Sequence, residues 1–227
     1  MATDIPLLHA GDRLTRIEFE RRWEVVPELT RAELLEGVVY LPPPSVPYKF
    51  GVARFDLIGW LGLYRLHTAG VSGSVNASIR FDERNMPQPD ILLRILESHG
   101  GRCRVTADRL LEGGPELVAE IANTTARYDL GVKREVYRRH GVQEYIVWRV
   151  ADGALDWFVL RDGAFVPLAP GPDGVIRSEV FPGLWLDRTA LLAGNAAALL
   201  RAAQEGHGSP EHGDFLRALQ QRAAGVT

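Results

Sequence analysis

The chain has 227 residues, of which 46% are hydrophobic, and a formal net charge of −3. This length can bury a sizeable core, and it predicts one main domain, residues 1–187, followed by an Ala-rich helical tail, residues 188–227. Nothing in the composition indicates disorder through the main body. The slight acidic balance argues against broad electrostatic capture of nucleic acid, which normally draws on a surplus of Lys and Arg, but it leaves local basic patches open.

Cysteine usage and hydropathy predict where the protein works. Cys103 is the only cysteine, so neither an internal disulfide nor a cysteine-based zinc site is available. The first residues lack the basic start and apolar middle of a signal peptide, and no apolar run reaches the roughly 18 residues of a membrane span. We therefore predict a cytoplasmic protein with no membrane association.

The first elements are predicted from a helix cap and a turn. Thr15 and Glu18 have the spacing of a capping box, which starts a short helix that runs to about Trp23. Two short apolar strands then flank Glu36 and Gly37, and they form a hairpin because Gly tolerates a positive φ. The bounds of these strands are residues 32–35 and 38–41.

A long helix is predicted after the prolines that follow this hairpin. Apolar residues recur at helical spacing over residues 51–67. Gly59 and Gly62 lower the helix propensity of this segment, and we expect them to allow close packing against a sheet. Strict alternation of apolar and polar residues over 74–81 then predicts a strand with one buried face.

Short and strongly apolar runs predict interior strands of a sheet that is covered on both faces. These runs are residues 90–95, 117–122 and 145–150. Residues 129–140 supply a helix between the last two runs. A second hairpin and a last strand follow, with strands at residues 154–160, 164–168 and 175–180. Beyond Asp187 we expect two helical pieces joined by a flexible segment, residues 205–213.

The order of these elements predicts the fold class. It is α/β (α+β-like), with a central mixed sheet flanked by helices and with N-terminal and C-terminal hairpins. No internal repeat interrupts the order. Loops at the ends of such a sheet leave a crevice, so an acid that begins a strand is a candidate for a functional site.

Two acids stand out against the predicted strands. Asp90 follows a proline and begins a strand, so its carboxylate should project near a sheet end. Glu120 lies inside an apolar strand, where an unpaired buried carboxylate costs several kcal/mol. It must meet a cation, a hydrogen-bond cluster or a metal, and Asp90 on a neighbouring strand makes a divalent metal the simplest answer. The alternatives are a turn acid at Asp90 and an edge strand with Glu120 in water.

A lysine and a third acid are the further candidates. Lys133 shares an apolar helical stripe that should face the core, so its ammonium would be drawn towards the acids. Its alternative is a snorkelling lysine that pairs with Asp129, four residues earlier. Glu33 in the first hairpin could join the same site, with a surface acid as the alternative. Together with the two acids above, these residues predict a metal-dependent phosphodiesterase site, in which the lysine orients water or offsets developing charge.

Other constellations are poorer. The histidines show no metal-ligand spacing on a firm element, and a surface role is favoured for His207 and His212 in their flexible segment. The basic run from Lys133 to Arg139 could approach a phosphate backbone, but a solvated helix face is the more common reading. The sequence contains neither a Gly-rich phosphate loop nor a serine elbow.

The order of these pieces resembles the Uma family of restriction-endonuclease-like proteins, a large bacterial group in the PD-(D/E)XK nuclease superfamily. The match spans roughly residues 14–187. The motifs that carry it are, in chain order, Glu33-Leu34-Leu35-Glu36-Gly37, Pro42-Pro43-Pro44-Ser45, Gln88-Pro89-Asp90, Glu120-Ile121-Ala122, then Asp129, Lys133, Tyr137 and Gly141-Val142-Gln143-Glu144-Tyr145.

The resemblance implies a fold, an activity and a set of roles. The fold would be restriction-endonuclease-like, and the activity would be Mg²⁺- or Mn²⁺-dependent cleavage of DNA. Asp90 and Glu120 would be metal ligands, and Glu33 would be the acid of the first hairpin. Lys133 would replace the usual lysine of the superfamily, whose position Ala122 occupies.

Three positions differ from the usual family pattern, and one alternative function stays open. Family members commonly have a histidine at Tyr48, a serine at Asn123 and an acid near Arg149. The competing hypothesis is a non-catalytic binding or regulatory module in which the acids are structural partners of the lysine. Cleavage of both DNA strands by one site per chain would favour a homodimer.

Overall fold

The computed structural model describes residues 5–43, 45, 47–122 and 125–225. Its strands are β1 (Glu33–Leu35), β2 (Val38–Tyr40), β3 (Val71–Val75), β4 (Ile79–Arg80), β5 (Ile91–Ile95), β6 (Arg104–Val105), β7 (Leu111–Glu112), β8 (Leu117–Ala122), β9 (Glu144–Arg149), β10 (Ala154–Arg161), β11 (Ala164–Pro167), β12 (Val175–Arg177) and β13 (Trp185–Asp187). Its α-helices are α1 (Arg16–Trp23), α2 (Tyr48–His67), α3 (Ala126–Tyr128), α4 (Arg134–Arg139), α5 (Arg188–Leu192), α6 (Ala196–His207) and α7 (Pro210–Ala224). A π-helical turn, Asp129–Lys133, joins α3 to α4.

A six-stranded mixed sheet in the order β11-β10-β9-β8-β5-β3 forms the centre of the fold. Strands β8 and β9 run parallel, whereas the other neighbouring pairs of this sheet are antiparallel. A parallel pair needs a crossover, which here is the helical segment from α3 to α4. This is the mixed α/β architecture with a central sheet and flanking helices that the sequence predicts.

The two faces of the sheet bury different side chains. In β8, Leu117, Ala119 and Ile121 belong to the hydrophobic cluster that includes α2 and the C-terminal helices. Val118 and Ala122 belong to the cluster on the opposite face, under α4. Side chains alternate along a strand, so Glu120 points to this second face and towards the crossover.

The N-terminal elements form as predicted. The Thr15 hydroxyl caps α1 by accepting a hydrogen bond from the Glu18 amide. Strands β1 and β2 pair as an antiparallel hairpin, and both turn residues, Glu36 (φ 53°) and Gly37 (φ 75°), are left-handed. The hairpin packs with Phe19 of α1 in a small cluster of its own. It therefore forms a separate layer beside the central sheet.

The continuous strand predicted over residues 74–81 is wrong. Asn76 has a φ of 52°, which breaks the extended chain after β3. Strand β3 is at the edge of the central sheet, whereas β4 joins a three-stranded sheet with β6 and β7. Strands β4, β6 and β7 have two residues each, which is too short for an alternation of apolar and polar residues. For that reason the sequence did not predict β6 and β7.

The glycines of α2 do not pack against the sheet, contrary to expectation. A Cβ atom added at Gly59 or Gly62 would have no neighbour within 4 Å. The face of α2 that meets the sheet instead carries Leu57, Leu61 and Tyr64, all of them buried. The predicted helix is present, but its glycines face outward.

The C-terminal part also departs from its prediction. Three helices follow Asp187, and only Gly208 and Ser209 separate α6 from α7. The Ser209 hydroxyl caps α7 and Pro210 fills its first turn, so most of the segment expected to be flexible is helical. His212 is buried rather than on the surface.

The last predicted strand is shorter than expected. It ends at Arg177 and pairs with β13, which the sequence did not predict, in a two-stranded sheet. Within the described part of the chain, no helix is long and apolar enough to cross a bilayer.

Candidate functional site

Lys133 lies at the centre of a cluster of acids on the second face of the sheet. Its Nζ is 2.9 Å from Oε2 of Glu33 and 3.0 Å from Oε1 of Glu120. A third carboxylate, that of Asp129, is 3.7 Å away. The lysine is only 6% exposed, so its ammonium points inward and does not snorkel to water.

Glu120 comes from β8, which lies between β5 and β9 and is not an edge strand. Its side chain is buried, and Oε1 accepts hydrogen bonds from Lys133 Nζ and from the Tyr137 hydroxyl at 2.8 Å. The reading of Glu120 as a solvated edge residue is therefore wrong.

Asp90 comes directly before β5, and backbone amides bind it reciprocally to β8. Its Oδ2 accepts a hydrogen bond of 2.9 Å from the Ile121 amide, and its own amide donates to Oε2 of Glu120 at 3.3 Å. The other oxygen, Oδ1, is 3.1 Å from Arg31 Nη2 and 3.5 Å from Arg54 Nη2. Asp90 is 4% exposed and thus is no ordinary turn acid.

Glu33 reaches the cluster from the first residue of β1. While its Oε2 pairs with Lys133, its Oε1 accepts a hydrogen bond of 2.8 Å from the Gln88 amide. Gln88 belongs to the segment that leads to Asp90. The hairpin is thereby attached to the sheet at the site, and the surface-acid alternative for Glu33 does not hold.

The π-helical turn explains why Asp129 and Lys133 face the same way. One wider turn, from Asp129 to Lys133, interrupts the crossover helix and leaves both side chains buried. Such turns are frequent at functional sites. The Oδ2 atom of Asp129 has no hydrogen-bond partner among the described residues.

The charges of the cluster depend on one another. Burial raises the pKa of the Glu120 carboxyl, and Lys133 opposes that rise. Burial would lower the pKa of Lys133, but Glu120, Glu33 and Asp129 together raise it above its ordinary value, so the ammonium stays charged. Burial, followed by the charge of Glu120, raises the pKa of Tyr137 well above its usual range, which keeps its hydroxyl a donor.

The cluster forms one wall of a cavity of about 770 Å³. Side chains of Asp90, Glu120 and Lys133 line it on the charged side. The remaining wall comes largely from the first hairpin, the segment after it and the start of the crossover, and it includes Tyr40 and Tyr128. The acids are thus buried among protein atoms yet open towards a space large enough for a small-molecule ligand.

Comparison with known proteins identifies the family. The family model Uma2, described as "Putative restriction endonuclease", matches residues 17–189. The chain belongs to the Uma2 family. The resemblance that the motifs indicate is thereby confirmed, and the family supports a nuclease function. No curated protein matches the sequence.

A solved structure shares the fold. It is described as a "putative nuclease belonging to DUF820" from Anabaena variabilis, and it has 12% sequence identity to this Uma2 chain with a TM-score of 0.56. The match covers 72% of this chain and 90% of the other. At that identity the likeness shows the fold alone.

A divalent metal fits the donor atoms of this Uma2 site. Carboxylate oxygens are the ligands that Mg²⁺ prefers, and it is commonly bound by one or two carboxylates together with water and substrate phosphate. Asp90 and Glu120 supply that pair, and Oε2 of Glu120 has only the long contact with the Asp90 amide. Within the described ranges, no group of three or more His, Cys, Asp or Glu side chains is placed to hold a metal. The fit therefore rests on two ligands and not on a complete protein cage.

Three residues of the Uma2 site received no role from the sequence, although Tyr137 is one of the motif residues that carry the family resemblance. Arg31 and Arg54 contact Asp90, and the Tyr137 hydroxyl binds Glu120. Only Tyr137 carried a signal, because it lies four residues after Lys133 on the same helical stripe. The arginines come from a loop and from α2, and nothing in their spacing distinguishes them from surface residues.

Two of the three positions that differ from the usual family pattern, Tyr48 and Arg149, do not line the cavity. Tyr48 is 85% exposed at the start of α2. Arg149 pairs with Asp152 and Asp156 at the end of β9. Asn123 lies outside the described residues.

One further expectation concerns the basic run of the crossover. Lys133 is part of the buried cluster, while Arg138 and Arg139 pair with Glu135 and Glu36 on the surface. Those two arginines match the solvated helix face that the sequence favours.

Proposed function

We propose that the protein is a metal-dependent DNA endonuclease that hydrolyses phosphodiester bonds. The observation that carries this proposal is the meeting of two buried acids, Asp90 directly before β5 and Glu120 in the adjacent β8, with a buried lysine beside a cavity. Burying so many charges has a large free-energy cost, which a purely structural role does not require. Membership of the Uma2 family supports the same function.

Each residue of the cluster has a role in this proposal. Asp90 and Glu120 would hold Mg²⁺ or Mn²⁺, which when bound stabilises charge on the phosphate and activates water. Lys133 stays protonated and can donate a hydrogen bond to the attacking water or to a phosphate oxygen. Glu33 holds the Lys133 ammonium in place, and the Tyr137 hydroxyl fixes Glu120.

A second candidate is a non-catalytic module that keeps the nuclease fold. It is favoured by the pairing of both proposed metal ligands with cations, since Arg31 lies on Asp90 and Lys133 lies on Glu120. In that case the acids and bases would compensate one another, and no metal would be required. Metal binding therefore separates the two candidates.

Plasmid cleavage tests the proposal. Purified protein should cut plasmid or single-stranded DNA with Mg²⁺ or Mn²⁺, and Asp90→Asn or Glu120→Gln should each lower the rate by at least about a hundredfold, the scale of a lost electrostatic contribution. Glu112→Gln, a surface acid that pairs with Arg104, is the matched control and should cut normally. Absence of cleavage together with absence of Mn²⁺ binding by calorimetry would favour the non-catalytic module.

A homodimer is part of the proposal, and α2 supplies a surface for it. An outward stripe of this helix is apolar or small at the spacing of a helix-pairing seam. Its members are Tyr48, Val52, Phe55, Gly59, Gly62 and Leu66. The four large side chains are 39% to 85% exposed, and covering them would supply roughly 500 Å² of the about 800 Å² that each partner of a stable complex buries.

The sequence of this stripe is complementary to itself. If two copies of α2 pair antiparallel about a twofold axis near its middle, Phe55 faces Gly59 of the other copy and Val52 faces Gly62. Large side chains then meet the glycines whose outward faces are open. Sedimentation equilibrium should show a dimer that Phe55→Ser converts to a monomer, and a monomeric native protein would refute this part. The cytoplasmic location stays a prediction from the sequence.

A further inference from the structure

Part of the cavity wall, beside the acids, has no role in holding a metal. Several of its side chains are apolar or aromatic, among them Leu35, Tyr40 and Phe50. Such surface does not bind hydrated ions. A cavity of about 770 Å³ is also within the range of sites that enclose whole small molecules, which is more space than one phosphate needs.

Two tyrosines form the most distinctive part of this wall. The rings of Tyr40 and Tyr128 meet edge to face, with centroids 5.3 Å apart and an angle of 70° between their planes. Tyr128 is 47% exposed although it lines the cavity, so part of its ring is free to contact a ligand. Nucleobases stack on exposed aromatic rings of this kind in sites for single-stranded nucleic acid.

The depth of the acids points to the same kind of ligand. The side chains of Asp90 and Glu120 are only 5% and 3% exposed. Such recessed groups favour a flexible strand over the rigid surface of an intact duplex, because a flexible strand can bend towards them. A strand whose nucleotide has left the base stack can enter the cavity with its phosphate next to the acids.

We propose that Tyr128, together with Tyr40, forms a binding site for an unstacked nucleobase next to the scissile phosphate. This inference rests on the proposed nuclease function and narrows its substrate to strands with an accessible base. The base can come from a single strand or from a mismatched pair in a duplex, since both give the same stacking chemistry.

Binding without metal tests the inference separately from catalysis. The probes are a fluorescein-labelled 12-residue oligothymidylate, a fully paired hairpin duplex, and the same hairpin with one central mismatch. Their fluorescence anisotropy is measured in EDTA at one salt concentration. We expect the native protein to bind the single strand at least tenfold more tightly than the paired hairpin.

Variants of Tyr128 test whether the preference for single-stranded over paired DNA depends on this side chain. Tyr128→Ala should weaken single-strand binding by roughly tenfold, whereas Tyr128→Phe, which keeps the ring, should bind like the native protein. Thermal unfolding of Tyr128→Ala should match that of the native chain, because the side chain is half exposed. Equal binding by Tyr128→Ala and native protein, tighter binding of the paired hairpin, or binding of no probe would overturn the inference.

The remaining outcomes separate this inference from the proposed function. Tight binding of the mismatched hairpin shows that a mismatched pair can supply the unstacked base. Weak binding of that hairpin shows that only a single strand supplies it. Cleavage of fully paired DNA that depends on Asp90 but not on Tyr128 would leave the nuclease proposal standing and overturn the nucleobase site. Tyr128-dependent binding without any metal-dependent cleavage would support the nucleobase site and overturn the nuclease proposal.

Discussion

The ammonium of Lys133 lies within 3.0 Å of two carboxylates that have little contact with water, and a third lies 3.7 Å away. Attraction in such a pair offsets a desolvation cost that each charge would otherwise carry alone. The lysine therefore offsets much of the free-energy cost of burying these acids. The same arrangement keeps the lysine protonated and in a fixed position next to the cavity.

Replacing Lys133 by Met should lower the free energy of unfolding by about 3–5 kcal/mol, because the acids lose their buried cation. Urea denaturation followed by circular dichroism measures this change. Adding Glu120→Gln should recover part of the loss, since one unpaired carboxylate is then removed. If the effects of the two substitutions add within about 0.5 kcal/mol, the two side chains are not coupled and the argument is wrong.

Arg31 has the opposite relation to the proposed metal. Its guanidinium is 3.1 Å from Oδ1 of Asp90, on an oxygen that a divalent cation would use. Arg31→Gln should therefore bind Mn²⁺ more tightly, by a few-fold to about tenfold. The substitution removes a competing ion pair with Asp90 whose free energy is about 1 kcal/mol. Isothermal titration calorimetry measures the affinity. Arg161→Gln, which breaks a surface pair with Glu179, is the control, and a weaker affinity in Arg31→Gln would contradict competition at Asp90.

At the scale of elements, most helices and strands were predicted from apolar runs and helix caps. The interior strands β5, β8 and β9 and the crossover helix follow from runs of buried residues and one helical stripe, and these elements position Asp90, Glu120 and Lys133. Short edge elements did not follow, because a two-residue strand such as β6 has no period. The π-helical turn was equally hidden, since its register depends on the burial of Asp129 and Lys133 by tertiary contacts.

The junction of α2, α6 and α7 contains a histidine cluster that sequence spacing did not reveal. The His207 ring stacks on His67 with centroids 4.4 Å apart, and its centroid is 5.7 Å from that of His212. Both ring nitrogens of His207 are buried without a hydrogen-bond partner among the described residues. Burial, with the charges of the other two histidines, lowers the pKa of His207 to about 4.

This lowered pKa predicts a loss of stability in mild acid. Between pH 6.5 and about 4 the unfolded chain binds a proton at His207 that the folded chain does not, so stability present above pH 6.5 is lost as the pH falls. Partial exposure reduces the effect to about 1–2 kcal/mol between pH 7 and 5. His207→Phe should reduce that loss, measured by urea denaturation at both pH values.

A matched control shows whether the effect belongs to this histidine. His9→Phe, at an exposed position, should lose as much stability as the native protein between pH 7 and 5. The explanation would be refuted by a His207→Phe variant that is as acid-sensitive as the native chain.

At the scale of the whole molecule, the C-terminal helices pack on the same face of the sheet as α2. Leu191, Ala203 and Leu219 are buried in the cluster that contains the inward residues of β8. A hydrogen bond of 3.0 Å between Thr68 Oγ1, directly after α2, and His212 Nε2 of α7 also joins the domain to these helices. The division into residues 1–187 and a tail remains a prediction, and these contacts give it a physical test.

A pair of leucine substitutions tests whether the tail stabilises the domain. Leu219 is 0% exposed and Leu200 is 45% exposed, although both lie on C-terminal helices. Leu219→Ala should lower the free energy of unfolding by about 2–5 kcal/mol through lost burial and a cavity, whereas Leu200→Ala should change it by less than about 0.5 kcal/mol. A chain that ends at Asp187 should fail to unfold cooperatively, because it exposes the part of the main core that the helices cover. If Leu219→Ala and Leu200→Ala are equally stable and residues 1–187 unfold cooperatively, the helices are an appendage and the smaller domain is independent.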